Sequence, residues 1–292
     1  MLLWIVIEIN ISWIVKIYNA ISKVTKVSQT NTANFVSLPP ENIKKTLLKT
    51  KALFNWSSGK DSALALYKIL QNPEFEIACL LTSVNQQFQR ISMHGVRVEL
   101  LEQQAKSIGL PLEIMQIPEM PTMEVYEKVM KATLTKLKNQ AVTHSIFGDI
   151  FLEDLRKYRE DKLAEIGFEG VFPLWKIPTH DLIQEFISLG FKTIVVCVNE
   201  RFLDKSFVGR VINQDFINDL PENVDVCGEN GEFHTFTFDG PIFSKPIDFE
   251  MGEIVYRKYE KPKEEDFSNT ACDTSASDAF NFGFWYCDLV VK

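Results

Sequence analysis

Residues Leu53–Leu70 read LFNWSSGKDSALALYKIL. A short apolar run passes into a helix-like run through Ser57-Ser58-Gly59-Lys60-Asp61-Ser62. In the second run Ala63, Leu64, Leu66, Tyr67 and Leu70 recur near the 3.6-residue helical period. A plain turn needs one or two small residues; this one has six, with a lysine beside an aspartate. Free amides at a helix start carry partial positive charge and bind anions. Ser57, Ser58, Gly59 and Ser62 are small enough to let oxygens reach the backbone, and Lys60 adds a mobile point charge. Asp61 suits such a place if it faces a divalent cation bridging phosphates. The loop matches neither G-x-x-x-x-G-K-[ST] nor G-x-G-x-x-G, so the ordinary P-loop and dinucleotide readings fail. Helix capping by serine or aspartate explains one residue of the six.

The alternation continues on both sides. FEIACLLTSV (75–84) is continuously apolar, as expected of a strand covered on both faces. VRVELLEQQAKSIG forms a helix closed by Gly109. A strand PLEIMQIP, a long helix from Thr122, a strand AVTHSIFGDI and a helix stopping at Gly167 follow. Strands alternating with helices predict a parallel sheet with helices on both faces. Ligands bind such sheets beyond the carboxyl ends of the strands, which places Ser57–Ser62 and Gly148-Asp149 at one crevice. From about Val171 the pattern changes, predicting a second, smaller α/β lobe. The expected divisions are 1–45 as an extension outside the core, 46–170 as the nucleotide domain and 171–292 as the acceptor domain.

With 292 residues, 46% hydrophobic and 24% charged, the chain has an ordinary globular composition. Its net charge of −8 argues against a broad nucleic-acid footprint. Five scattered cysteines, without C-x-x-C, predict neither a disulfide framework nor a zinc or iron–sulfur site. They fit a reducing cytoplasm. The opening MLLWIVIEINISWIVKIY is interrupted by Glu8, Asn10 and Lys16, and falls short of the about 20 clean apolar residues of a spanning helix. It is either an extension irrelevant to the chemistry or a peripheral membrane or partner helix. The serine-rich acidic run from Lys261 to Asn281 is expected to be a mobile loop.

Further candidates lie outside the loop. CGENGEFHT brings Glu229, Asn230, Glu232 and His234 around two glycines; the carboxylates could hold a metal or an amine, or act as a base. A solvated hairpin turn is the alternative. Alternation puts His234 on the face of Glu232. Asp149 could bind magnesium or polarise a substrate, or cap the following helix. Arg156 and Arg159, three apart on a helix, suit phosphate or carboxylate recognition; pairing within the helix is favoured by spacing. His94 follows the second strand, near where a nucleotide base would lie; it is either a contact for ATP or substrate or a surface-loop histidine, and Arg210 could bind an anion.

SSGKDS resembles the S-G-G-x-D-S signature of the PP-loop ATP pyrophosphatases, which split ATP between its α and β phosphates. Ser58 departs from that signature, where the second residue is glycine. Within the superfamily the chain is most similar to the diphthine–ammonia ligase family and its relatives, from about Leu48 to the end apart from the acidic loop. MHGV (93–96), FGDI (147–150) with LRKYRE (155–160), PLW (173–175), VGR (208–210) and CGENGEFHTFTFDGPIF (227–243) carry the likeness. The resemblance implies a Rossmann-like, HUP-type nucleotide domain and ATP with Mg2+. It implies adenylation of an acceptor carboxylate followed by amidation with free ammonia. In that family the acceptor is diphthine, a modified histidine on elongation factor 2. Transfer RNA thiolation and ATP sensing without chemistry are the alternatives. Stable nucleic-acid binding and a membrane span are not expected, and homo-oligomerisation is left open.

Overall fold

The computed structural model describes residues 49–91, 95–118, 121–258 and 282–292. The amino-terminal extension, His94 and the acidic run 261–281 lie outside the described residues. In chain order the first half carries β1 (Thr50–Asn55), α1 (Lys60–Leu70), β2 (Phe75–Asn85), β3 (Arg90–Ile91), α2 (Val98–Ile108) and β4 (Leu112–Ile117). α3 (Met123–Lys138), β5 (His144–Ile146), α4 (Glu153–Ala164) and β6 (Glu169–Val171) complete it. The second half carries α5 (Thr179–Ser188), β7 (Lys192–Asn199), α6 (Gln214–Asp219), β8 (Phe233–Asp239), β9 (Phe249–Lys258) and β10 (Gly283–Val291).

The helices stop where local chemistry stops them. Gly109 ends α2 in the left-handed conformation at φ 81°, its N–H donating to the Ala105 carbonyl at 2.9 Å. Thr122 begins α3 by accepting from the Val125 N–H at 3.3 Å. Strands β4-β2-β1-β5-β6 are parallel neighbours in that order. The short β3 pairs antiparallel with the far end of β2. Chain order reverses at β1: β2 and β4 lie on one side of it, β5 and β6 on the other. That reversal is the crevice of a doubly wound sheet, flanked by the loops after β1 and β5.

Alternation along β1 divides the core. Ala52 and Phe54 face α1 and α2, packing with Leu64, Leu66, Leu100 and Leu101. Leu53 faces the other way, toward Leu134 and Leu137 of α3 and Leu163 of α4. Helices therefore cover both faces, as the unbroken apolar strands require.

The second half is more specific than an α/β lobe. Its sheet is antiparallel, ordered β8-β7-β10-β9. The carboxyl-terminal β10 is inserted between β7 and β9 rather than added at an edge. Residues from β7, β8 and α5, among them Val196, Phe236 and Phe186, share one apolar cluster with α1 and α2. The second sheet is thereby set against the α1–α2 face of the first, beside the start of α1. No helix among the described residues is long and apolar enough to cross a membrane.

Candidate functional site

The loop after β1 is built by its own side chains. Asn55 donates to Ser145 Oγ and the Ile146 carbonyl, both at 2.8 Å, tying the ends of β1 and β5 together. Trp56 is buried, with Nε1 donating to Gln104 Oε1 at 3.0 Å. Ser57 Oγ donates to Ser62 Oγ at 3.0 Å, and Ser62 Oγ to the Gly59 carbonyl at 2.9 Å, closing the turn over the first residues of α1. Ser58 adopts φ 71°. A position that the PP-loop signature gives to glycine is therefore held left-handed by a serine.

The second sheet meets this loop directly. The Thr237 N–H donates to the Ser58 carbonyl at 2.9 Å, and the Lys60 N–H donates to Thr235 Oγ1 at 3.0 Å. Gln104 Nε2 bridges the Ser58 and Thr237 carbonyls at 3.2 and 2.6 Å. These three residues were missing from the sequence reading. Thr235 and Thr237 look there like ordinary strand threonines, and Gln104 like a surface glutamine, although it is fully buried.

Lys60 is 4% exposed, with Nζ 2.7 and 2.6 Å from the two carboxylate oxygens of Asp61. Burial opposes its charge, but Asp61, Cys227 and Glu229 outweigh burial and hold its pKa above the ordinary lysine value. A buried, permanently protonated lysine at a helix start suits a polyanion. Across the crevice Gly148 packs on the same turn. A Cβ there would lie 3.1 Å from Asp61 C and Ser62 N, and 3.2 Å from Asp61 O. Only glycine lets the β5 loop approach so near.

Asp149 follows, with Oδ2 3.1 Å from Arg159 Nε. That oxygen is buried and lacks a well-aligned hydrogen bond. Burial raises the Asp149 pKa; Arg159 opposes this and Asp61 adds to it. Arg159 also lies 4.3 Å from the Phe147 ring centre, whereas Arg156 pairs with Glu160 at 2.8 Å over Phe172 and Trp175. Of the two arginines, Arg159 is the one turned into the site.

From the second half come Glu229 and Cys227. Burial raises the Glu229 carboxyl well above its ordinary value, with Asp61 adding to the rise, Lys60 opposing it and Asp149 adding further. Burial likewise pushes up the Cys227 thiol, against Lys60 and together with Asp61; its Sγ donates to the Thr179 carbonyl at 3.3 Å. A hollow of about 160 Å³ beside the loop is lined by Lys60, Asp61, Leu64, Leu182, Ile183, Phe186 and Cys227.

Four sequence candidates, Asn230, Glu232, His234 and Arg210, fall elsewhere. Glu232 is wholly buried beneath the CGENGE turn. Its carboxylate accepts from the Asp225 N–H at 3.0 Å, the Asn230 N–H at 2.8 Å and Asn230 Nδ2 at 3.0 Å. It therefore organises the turn, and Asn230 is turned inward to it. Because β8 starts at Phe233, Glu232 precedes the strand and the alternation argument does not extend to it. His234 alternates with Phe233 and Thr235, away from the face that meets the loop. Arg210 pairs with Asp219 at 2.6 Å against Phe207 and Phe216, within the second half.

No group of three or more His, Cys, Asp or Glu side chains among the described residues is arranged to hold a metal. Magnesium asks less, since one or two carboxylates suffice when phosphates supply the rest. Asp61 and Asp149 are the two carboxylates that would hold it, close enough that Asp61 adds to the rise in the Asp149 pKa.

Family models for the diphthamide synthase N-terminal and C-terminal domains match residues 48–169 and 178–264, together more than half of the chain. The chain belongs to the diphthamide synthase family. Among curated relatives it is similar to the diphthine–ammonia ligase of Bos taurus, 30% identical over 128 residues, covering 42% of this chain and 48% of that protein. The human diphthine–ammonia ligase is 27% identical over 166 residues, covering 52% and 62%. The matches thus span about half to three-fifths of these relatives. Among solved structures, the U34-tRNA thiolase NcsA of Methanococcus maripaludis, determined with its iron–sulfur cluster, is 18% identical with a TM-score of 0.31, over 50% of this chain and 59% of that one.

Proposed function

We propose that the protein is an ATP-dependent amide ligase that adenylates an acceptor carboxylate and passes the acyl group to ammonia, with diphthine as the acceptor. One observation carries the reading. The loop holding the buried, protonated Lys60 and the Gly148–Asp149 loop meet at the reversal point of a parallel sheet, in a chain of the diphthamide synthase family. In this reading residues 46–170 bind the nucleotide and residues 171–292 receive the acceptor.

An acceptor carboxylate oxygen attacks the α-phosphorus, and the bond to the bridging oxygen of pyrophosphate breaks. Ammonia then attacks the acyl carbon, the bond to the AMP oxygen breaks and a proton is released. Ser57–Ser62 hold the β and γ phosphates, and Lys60 stabilises the charge that gathers on the departing pyrophosphate. Arg159, aimed at the crevice, stabilises Asp149. Glu229, in its apolar and acidic surroundings, is the candidate to take the proton. Magnesium, held by Asp61 and Asp149, would neutralise phosphate charge when bound with ATP. The remaining rate gain comes from holding acceptor and α-phosphate together.

The thiolation alternative needs a reactive thiolate. Burial is the first cause raising the thiols of Cys79, Cys227 and Cys287, the first and last of them to about 11, so each is a poor nucleophile near neutral pH. The test uses elongation factor 2 carrying diphthine, ATP and nitrogen-15 ammonium. Incorporation of one labelled nitrogen into the acceptor supports the reading; unmodified acceptor with active protein refutes the assigned substrate.

A further inference from the structure

Resting on the reading of the β1 loop as a phosphate site, we propose that Asp288 is a positioning residue for the nucleoside part of the nucleotide. From the carboxyl-terminal strand it clasps the neck of the loop between β3 and α2. β10 lies beyond the matched diphthamide synthase domains, the second of which ends at residue 264. The neck itself is closed by backbone. The Ile91 N–H donates to the Val96 carbonyl at 2.9 Å, the Val98 N–H donates to the Gln89 carbonyl at 3.1 Å, and Arg90 and Arg97 face each other as an antiparallel bridge.

Two arginines so placed repel unless a carboxylate joins them, and Asp288 is that carboxylate. Its Oδ1 accepts from Arg90 Nη1 at 2.7 Å and from Arg97 Nε at 3.1 Å, and its Oδ2 accepts from Arg97 Nη2 at 2.6 Å. Arg90 Nη1 also donates to the Gly95 carbonyl at 2.7 Å, which passes the hold on to the loop backbone. Tyr286, two residues earlier on β10, packs beside Gly95, its ring 3.7 Å from where a Cβ would stand. One strand of the second half thus holds a loop of the first through a carboxylate and a ring.

The loop's place gives the clasp its role. β3 pairs with the carboxyl end of β2 through Val84–Ile91 and Asn85–Arg90. β2 lies beside β1 on the side opposite β5. With the phosphates over the β1 loop and Gly148-Asp149 on the β5 side, the remainder of a nucleotide extends toward the β2 end of the same sheet edge. Arg90 is 8% exposed. Without Asp288 its charge is left buried and unpaired, facing Arg97. The guanidinium must then move, and its hold on Gly95 goes with it. The β1 loop, with its own serine and threonine contacts, stays as it is.

The test measures binding of ATP and of inorganic pyrophosphate by calorimetry, with magnesium and without acceptor, for the full chain, Asp288→Asn and the milder Arg97→Gln. Pyrophosphate reports on the β1 loop alone, and ATP on both sides of the crevice. Loss of the clasp predicts ATP binding weaker by about fivefold or more in Asp288→Asn, and a smaller loss in Arg97→Gln. Pyrophosphate binding should equal that of the parent in both variants. ATP binding unchanged, or ATP and pyrophosphate weakened by the same factor, makes the clasp structural only and overturns the proposal. A parent chain that binds neither ligand instead overturns the phosphate-loop reading, and the proposal with it.

Discussion

Substituting Gly148 with alanine tests the meeting of the two loops without touching a charged group. The added methyl would meet three backbone atoms, Asp61 C, Ser62 N and Asp61 O, at 3.1, 3.1 and 3.2 Å. Ordinary carbon contacts begin at about 3.5 Å, so the first turn of α1 and the β5 loop must part by about 0.4 Å. Backbone cannot rotate aside as a side chain can. Overpacking of this kind costs about 1–3 kcal/mol, a shift of several degrees in melting temperature for a chain of this size. The same movement displaces the amides proposed to hold the phosphates, and turnover should fall by about tenfold or more beyond any loss of folded protein. Gly109→Ala is the control: φ is 81° and nothing lies within 4 Å, so it brings left-handed strain of about 1 kcal/mol without crowding. Urea unfolding and pyrophosphate release measured on both variants separate the effects. A Gly148→Ala protein as stable and as active as the parent would refute the close approach of these loops.

Glu232→Ala removes a wholly buried carboxylate that accepts three hydrogen bonds, and the stranded donors predict a loss of about 3 kcal/mol, read from the denaturation midpoint. Asp61→Asn is expected to abolish pyrophosphate release while keeping an acceptor for the buried Lys60; Asp61→Ala would strand that charge and destabilise the protein as well. Asp288 on β10 accepts from Arg90 at 2.7 Å and from Arg97 at 3.1 and 2.6 Å. Burial raises its pKa, but these arginines outweigh burial and hold it below the usual carboxylate value. A depressed folded-state pKa gives stability that is present above the unfolded value of about 3.9 and lost as pH falls through the folded value. The stability gap between the parent and Asp288→Asn should therefore close below about pH 4, as followed by thermal melts across pH.

The parallel sheet and its crevice were legible because local chemistry repeats: apolar runs, helix periods and closures such as Gly109 each report on their own segment. The loops after β1 and β5 were placed together by topology alone, and Gly148 shows why that worked. What escaped depends on contacts between distant residues. Nothing near Cys227 announces that it lies beside Lys60, and nothing in TFT predicts that Thr235 takes the Lys60 amide. The antiparallel second sheet was hidden because β7 is buried along nearly its whole length, which removes the alternation that marks a one-sided strand. Glu232 shows the limit of periodicity, since the two-residue rule holds only inside a strand and this residue lies just before one.

The central claim is that this loop cleaves ATP between the α and β phosphates. ATP labelled at the α-phosphate, incubated with the full chain, magnesium, ammonium and diphthine-bearing elongation factor 2, should yield labelled AMP in step with acceptor consumed. Labelled ADP, or intact ATP despite tight binding, would contradict the account.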